Sequence, residues 1–332
     1  MSKKYKFRSL ITGGAGFIGS HLVERLLKEG HHVTIIDNLS TGRFENIKKY
    51  SKKIKFYKKD ISNFVSIKNY FNKIDYVFHL AALADIVPSI NDPRNYFKSN
   101  VLGTLNVLEL SKINKVKKFI YTASSSCYGI PKKYPTNEKE IIDTKYPYAL
   151  TKKNGEDLVI HWGKIYKLNV TSFRLFNVYG TKSRTSGTYG AMFGTFLKQK
   201  IQNFPFTVVG NGEQRRDFTY VSDVIEVLIK GMKYKKNCEI FNVGSGKSVS
   251  INYICKLLKG KKIKIPKRPG EPDITFANIT KIKKELKWKP KIKIEEGIKL
   301  LLSELNYWKN APLWTPQKIK VATVDWFKFL KD

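Results

Sequence analysis

The stretch from Phe7 to Gly30 constrains this chain more than any other. Phe7 to Thr12 is an apolar, β-compatible run of buried-strand length that leads directly into Gly13-Gly14-Ala15-Gly16-Phe17-Ile18-Gly19. Ser20 to Glu29 then places Leu22, Val23, Leu26 and Leu27 at helical spacing, and Gly30 is the stop signal. Strand, glycine turn and helix in that order form the opening unit of a dinucleotide-binding fold. Gly13 permits the tight turn, Gly16 lets backbone approach a pyrophosphate, Gly19 allows close packing of helix on strand, and the helix N-terminus faces the phosphates.

The following segments repeat the alternation. His32 to Ile36 reads as a second strand ending in Asp37, at the expected offset of about 20 residues for a carboxylate that binds the adenosine ribose hydroxyls. Such a group repels a 2′-phosphate, so NAD is expected over NADP, with nearby Arg43 as the one residue pointing the other way. Ile54 to Tyr57 followed by Asp60-Ile61 repeats the strand-then-acid pattern, and Asp60 reads either as an adenine contact or as an ordinary loop aspartate.

Asp75 to Leu80 is a fourth strand, opening into Ala81-Ala82-Leu83-Ala84, where small residues let a cofactor lie against backbone. His79 is read as a packing residue, since no partner ligand sits at a usable metal spacing. Pro93 to Lys112 predicts one long helix carrying Asn100, and Lys117 to Thr122 a fifth strand. The expectation is an α/β fold with a doubly wound parallel Rossmann sheet.

The 332 residues suffice for that domain and a smaller one. The net charge of +35 invites a nucleic-acid or membrane reading. The excess is mostly Lys, however, scattered alongside Ile, Asn, Phe and Tyr, residues that share A- and T-rich codons. No arginine-rich stripe or nucleic-acid motif appears, so a biased genome is the simpler cause, and neither a specific nucleic acid nor a membrane is expected as partner. Cys127, Cys238 and Cys255 fit neither a disulfide framework nor a metal site, and no apolar run has the length of a signal peptide or of a membrane span. A cytoplasmic protein without a metal is expected.

The fifth strand delivers Ser124-Ser125-Ser126 to the carboxyl edge of the sheet, where ligands bind in such folds. Further on stands Tyr148-Ala149-Leu150-Thr151-Lys152, whose i, i+4 spacing puts phenol and ammonium on one helix face. An ammonium near a phenol favours the phenolate, and a serine hydroxyl can bond the same oxygen. Hydroxyl, phenol and ammonium are the parts needed to move a proton on a substrate alcohol.

With these motifs the chain resembles the extended short-chain dehydrogenase/reductase family, and within it the nucleotide-sugar epimerases of the UDP-glucose 4-epimerase type. The resemblance rests on TGGAGFIGSHL (Thr12 to Leu22), the Asp37 to Gly42 stretch, HLAALA, NVLGTLNVLE, SSSCYG and YALTK, then on RLFNVYG, GNGEQRRDFTYVSDV, FNVGSG and RPGEPD. It implies that Ser124, Tyr148 and Lys152 are catalytic. It also implies that Gly13, Gly16, Phe17, Ile18, Gly19, Asp37, Asn38, Asp60, Ile61, Ala81, Ala82 and Asn100, with Tyr148 and Lys152, serve NAD. On the substrate side, Ser124, Ser125, Ser126 and Asn177 would meet the sugar diphosphate, Arg216 and Arg268 would clamp its phosphates through planar guanidinium forks, and Asp273 would help hold the nucleotide.

Residues 1–175, with return segments near 211–245, are expected to form the NAD-binding domain, and 176–332 a smaller α/β substrate domain with a helical tail. Thr207 to Val209 and Glu239 to Val243 read as short strands of that second half, Val221 to Met232 as a helix, and Thr315-Pro316 as a helix start followed by an aromatic tail that packs as core or interface. The implied reaction is redox-neutral 4-epimerisation of a UDP-hexose through a 4-keto intermediate, with Tyr148 as base. Dehydratases of this family carry an acid pair where this chain has Ser125 and Ser126, and decarboxylases a glutamate at the Ser126 position. These two outcomes, with reductases, are the rivals inside the family, and a non-catalytic NAD-binding module with a basic surface is the rival outside it. Tyr189 to Phe196 departs from the proline-containing segment of many epimerases, which leaves the sugar open. The helices over 93–112 and 148–161 are expected to pair in a homodimer, with Leu102, Leu105, Val107, Leu108, Leu158 and Val159 serving core or interface.

Overall fold

The structure is a computed structural model, described over residues 6–183 and 192–330. Seven strands form one sheet: β1 (Phe7–Thr12), β2 (His31–Asp37), β3 (Ile54–Lys58), β4 (Tyr76–His79), β5 (Lys118–Ser124), β6 (Val170–Leu175) and β7 (Glu239–Val243). They lie in the order β3-β2-β1-β4-β5-β6-β7, and every neighbouring pair is parallel. Parallel neighbours need crossovers, which the amphipathic segments supply as helices on both faces. The chain winds outward from β1 to β3 and then returns to β4 beside β1, so the strand order reverses between those two. That reversal opens a crevice at the carboxyl ends of β1 and β4, where open α/β sheets bind ligands.

The apolar runs become the core: Leu10, Ile11, Val33, Ile35, Val77, Phe78, Phe119 and Ile120 are fully buried. His79 is packed as read, its Nδ1 2.6 Å from Thr12 Oγ1 and its Nε2 2.8 Å from Thr104 Oγ1. Burial pushes its pKa down to about 3, so the ring is neutral. Among the described residues no group of His, Cys, Asp and Glu could hold a metal, and no helix is long and apolar enough to cross a membrane.

One expectation is corrected. The single helix over 93–112 is a helix Pro93–Phe97, a π-turn Lys98–Leu102 and a helix Gly103–Ile113. Asn100 lies within the π-turn, where its side chain reaches outside partners; such turns insert one residue into the helical ladder. Glu239–Val243, read as a short strand and lying within the 211–245 segments expected to return to the first domain, is the edge strand beside β6 in the main sheet. The helix Val221–Lys233 leads back to it and packs on the first helix, Phe17–Lys28.

The remaining strands pair off in twos. Phe206–Val209 runs parallel to Lys262–Ile265, Asn177–Tyr179 parallel to Phe218–Tyr220, and Arg215–Arg216 antiparallel to Val249–Ser250. Together with the helices Met192–Ile201 and Ile251–Leu258 they stand over the carboxyl edge of the sheet. The tail helix Pro316–Ala322 begins with Thr315 as cap and Pro316 in its first turn, as the sequence predicts.

Candidate active site

A cleft of about 630 Å³ runs along that carboxyl edge. Its sheet-side wall holds Gly13, Gly16, Phe17, Ile18, Gly19, Asp37, Asn38, Ile61, Ala81, Ala82, Ser124, Ser125, Ser126, Tyr148 and Lys152, and its other wall holds Asn177, Arg216 and Arg268. Of the site residues expected from sequence, Asp60, Asn100 and Asp273 do not line it.

The glycine turn is shaped for close approach. Gly13 has φ +75°, and a Cβ there would stand 2.7 Å from the Ala81 backbone nitrogen. A Cβ on Gly19 would drive into the Gly13 carbonyl and lie 2.8 Å from Gly14 Cα. No side chain caps the helix Phe17–Lys28, an arrangement that suits an anion on its first-turn N–H groups. Asp37 sits beside the turn, accepting the Ala15 and Leu39 N–H groups at 2.9 and 2.8 Å. Burial pushes its carboxyl up, and those two donors pull it partly back.

Arg43, the residue that argued for a 2′-phosphate, lies over the Tyr307 ring with its Cζ 5.3 Å from the centroid. Asp60 stands behind Asn38, accepting from the Ser62 N–H at 2.8 Å and from the Asn38 amide at 3.4 Å. Burial pushes its carboxyl up, but the bonds from Ser62 and Asn38 and the charge of Lys98 outweigh it and hold the group below its usual range. Asp60 thus orders Asn38, which itself faces the cleft.

Tyr148 and Lys152 lie on the helix Pro147–Ile165, which starts with a proline suited to its first turn, and Ser124 ends β5. The Tyr148 phenol stands beside Ser124 and Ser126, whose hydroxyls favour its ionised form. Ser126 in turn donates to Ser124 at 2.8 Å, so the three oxygens form one cluster. Burial pushes the phenol up, and the two serine hydroxyls pull it down.

The expected lowering of Tyr148 by Lys152 is not found. The ammonium lies 4.3 Å from the Tyr121 ring centroid, and burial pushes its own pKa down to about 7 against the opposing charge of Glu156. A desolvated ammonium near neutrality is itself a poised proton donor.

Asn100 is 1% exposed, behind the cleft wall. Its Oδ1 accepts the Leu83 N–H at 2.8 Å, and its amide donates to Leu83 O at 3.0 Å and Thr151 Oγ1 at 3.1 Å. Both amide donors are used, so Asn100 ties the Ala81–Ala84 loop to the catalytic helix. A second buried network, invisible in the sequence, holds the other side of that helix. Glu156 pairs with Arg174 at 2.6 Å and accepts Ser172 Oγ at 2.9 Å, while Arg174 also donates to Tyr128 Oη at 2.8 Å.

On the opposite wall Arg216 donates to Glu271 Oε1 at 2.7 Å, and Arg268 Nε lies 3.7 Å from Glu271 Oε2. Glu271 Oε2 is buried and accepts no hydrogen bond from the described residues. Burial pushes the Glu271 carboxyl up, but the two arginines outweigh it and hold it below its usual range. Asp273, by contrast, is 69% exposed and pairs with Lys267 outside the cleft. Of the two carboxylates in the RPGEPD motif, it is Glu271, two residues earlier, that lines the cleft.

Asn177 Oδ1 accepts from Thr275 at 2.8 Å, which leaves its amide to the cleft. Asp217, also missed, is fully buried and accepts from Ser245 N and Oγ, Gly246 N and Ala277 N, so it ties together the loops behind the arginines. Burial pushes it up to about 6 in spite of those bonds. Of the departing segment Tyr189 to Phe196, residues 189–191 lie outside the described residues; Met192, Phe193, Thr195 and Phe196 line the cleft from the helix Met192–Ile201.

The family model described as GDP-mannose 4,6 dehydratase matches residues 10–301. The chain belongs to the extended short-chain dehydrogenase/reductase family, in its nucleotide-sugar epimerase group. It is 38% identical to a UDP-glucuronate 4-epimerase of Thermodesulfobacterium geofontis over 94% of this chain and 99% of that one. Among solved structures it resembles a UDP-glucose 4-epimerase of Thermotoga maritima with UDP-glucose, at TM-score 0.85 and 34% identity, covering 90% of this chain and 99% of that one. It also resembles a UDP-glucuronic acid 4-epimerase of Bacillus cereus in complex with UDP-glucuronic acid and NAD, at TM-score 0.84 and 32% identity over 90% and 99%.

Proposed function

We propose that this protein is an NAD-dependent UDP-hexose 4-epimerase. The observation that carries the reading is the Tyr148–Ser124–Ser126 hydroxyl cluster with Lys152, set in the same cleft as the Gly13–Gly19 turn and facing two arginines. The named relatives support it, since UDP-sugar 4-epimerases are among the proteins and solved structures this chain resembles. The residues fit a dinucleotide: a turn with no room for a Cβ at Gly13 or Gly19, an uncapped helix start, a buried carboxylate beside it and a wall of alanines. NAD, when bound there, supplies a reversible acceptor for the hydride of the sugar C4–H bond.

The chain's own residues do the rest. Gly13, Gly16, Phe17, Ile18 and Gly19 receive the pyrophosphate, and Asp37 and Asn38 the adenosine ribose. Asp60 and Asn100 hold their neighbours in place. Tyr148 as phenolate takes the proton of the sugar 4-hydroxyl, with Ser124 and Ser126 favouring the phenolate and Lys152, desolvated to near neutrality, a proton donor in the same cleft. Arg216, Arg268 and Asn177 hold the nucleoside diphosphate, with Glu271 orienting the two arginines, and this is a fixed tether about which a keto-sugar can turn and present its other face. Reduction on that face, with Tyr148 returning the proton, gives the 4-epimer.

Ser125 and Ser126 supply neither the acid pair of a dehydratase nor the glutamate of a decarboxylase, and the assembled hydroxyl cluster argues against a non-catalytic module. We further propose a cytoplasmic homodimer. Three free cysteines fit a reducing compartment. Phe97, Leu102, Leu150 and Ile165 are exposed on the helices expected to pair, whereas Val107, Leu108 and Val159 belong to the core. A UDP-hexose labelled with deuterium at C4 tests the reaction: wild type is expected to epimerise it with the label retained, Tyr148→Phe is expected to do nothing, and loss of label to solvent would contradict hydride return.

A further inference from the structure

The segment from Trp314 to Leu330 lies beyond residues 10–301, which the family model matches, yet it reaches the cleft. The Trp314 carbonyl accepts Gln199 Nε2 at 2.7 Å. Ile319 is buried against Ile265, beside Val209, which seats the helix Pro316–Ala322 on the small parallel strand pair. The chain then turns into a helix Val324–Phe329 that packs on the helix Ile86–Asn91, and the Asn91 amide, turned so that its nitrogen faces Asp325, would donate to it at 3.1 Å. The tail thus straps the substrate-side lobe to the Rossmann side across one end of the cleft.

Trp326 is the residue this strap inserts. It is 2% exposed, lines the cleft, and donates its indole N–H to the Pro269 carbonyl at 2.8 Å. Arg268 Cζ stands 5.3 Å from its ring centroid. Its ring lies 6.4 Å from that of Tyr146, which stacks with Tyr148 at 6.4 Å and 7°. The indole N–H fixes the backbone just after Arg268 while the ring face lies against the guanidinium, so Trp326, together with the Glu271 carboxylate, orients that arginine.

We propose that Trp326 is a positioning residue for nucleoside-diphosphate binding, acting through Arg268, and that the C-terminal strap is thereby part of this protein's substrate site. The proposal rests on the reading of Arg268 as a diphosphate ligand. An arginine held in place binds more tightly than one that must be ordered as the ligand arrives. Trp326 meets Arg268 directly and reaches Tyr148 through Tyr146, so the effect falls mainly on KM rather than on kcat.

The test uses the full chain: UDP affinity by calorimetry, and KM and kcat for a UDP-hexose, in wild type, Trp326→Leu, Trp326→Phe, Arg268→Lys and the Trp326→Leu/Arg268→Lys double variant. Trp326→Leu is expected to weaken UDP binding and raise KM about tenfold with kcat nearly unchanged. Trp326→Phe, which keeps a ring face, should recover part of the loss. The double variant should bind no worse than Arg268→Lys alone. Unchanged UDP affinity in Trp326→Leu, or additive losses in the double variant, would overturn the proposal and leave the epimerase reading standing. If Trp326→Leu does not fold, Trp326→Phe and its combination with Arg268→Lys carry the same comparison. A wild-type chain that binds no UDP would overturn the diphosphate reading, and the strap's role with it.

Discussion

Lys152 Nζ stands 4.3 Å from the centre of the Tyr121 ring, and the Tyr121 hydroxyl donates back to the Lys152 carbonyl at 3.2 Å. The ammonium is held in a dry site that pushes its pKa down to about 7. The folded value lies below the unfolded one, so between them the unfolded chain binds more protons and stability rises with pH from about 7 towards 10.5. Below that window the buried charge is a standing cost. Lys152→Met is therefore expected to raise stability by about 2 kcal/mol at pH 6 while lowering kcat at least about 100-fold. Urea melts at pH 6 and 10, run beside the activity assay, check both, and a destabilised Lys152→Met would show that the site does not strain the ammonium.

Ser124 and Ser126 stand beside the Tyr148 phenol, and a hydrogen bond from either hydroxyl to the oxygen lowers its pKa. Replacing either by Ala removes one such bond, so the phenolate forms at higher pH. In Ser126→Ala the rising limb of kcat against pH should move up by about one unit, with a loss of about tenfold at pH 7 recovered in part at pH 9. Ser124→Ala should move it further, because it also ends the bond from Ser126 at 2.8 Å. A limb that stays in place would remove the serines from the proton-transfer step.

The Glu156–Arg174 pair is almost fully enclosed, the two side chains being 2% and 4% exposed. Removing one partner leaves the other as a buried, unpaired charge. Glu156→Ala should cost about 3 to 5 kcal/mol in denaturant unfolding. It should also depress Lys152 further, since Glu156 is the charge that opposes desolvation there. Ser172→Ala, which removes only one neutral donor to Glu156, should cost about 1 kcal/mol.

The Rossmann half was legible because its signals are local. Buried parallel strands are short apolar runs, the Gly13–Gly19 turn announces itself by residues that permit no Cβ, and Tyr148 and Lys152 share a face by spacing alone. What escaped depends on partners distant in sequence. The π-turn at Asn100 is tied to Leu83 and Thr151, and the edge position of Glu239–Val243 depends on pairing with β6.

The choice of Glu271 over Asp273 turns on the local path of the chain, where Gly270 has φ +67° and Glu271 is directed to the arginines. Trp326 carried no mark distinguishing a cleft residue from a core one, since both are buried aromatics at helical spacing. The carboxylates Glu156 and Asp217 are conspicuous only once their buried donors are known.

The most direct measurement is of the product. Purified protein with NAD, and with UDP-glucose, UDP-glucuronate or UDP-N-acetylglucosamine in turn, is incubated without reductant and the sugar is resolved by NMR and mass. The account predicts that at least one of them is converted to its C4 epimer at unchanged mass, and that Tyr148→Phe abolishes the conversion. A product lighter by water or carbon dioxide would contradict it.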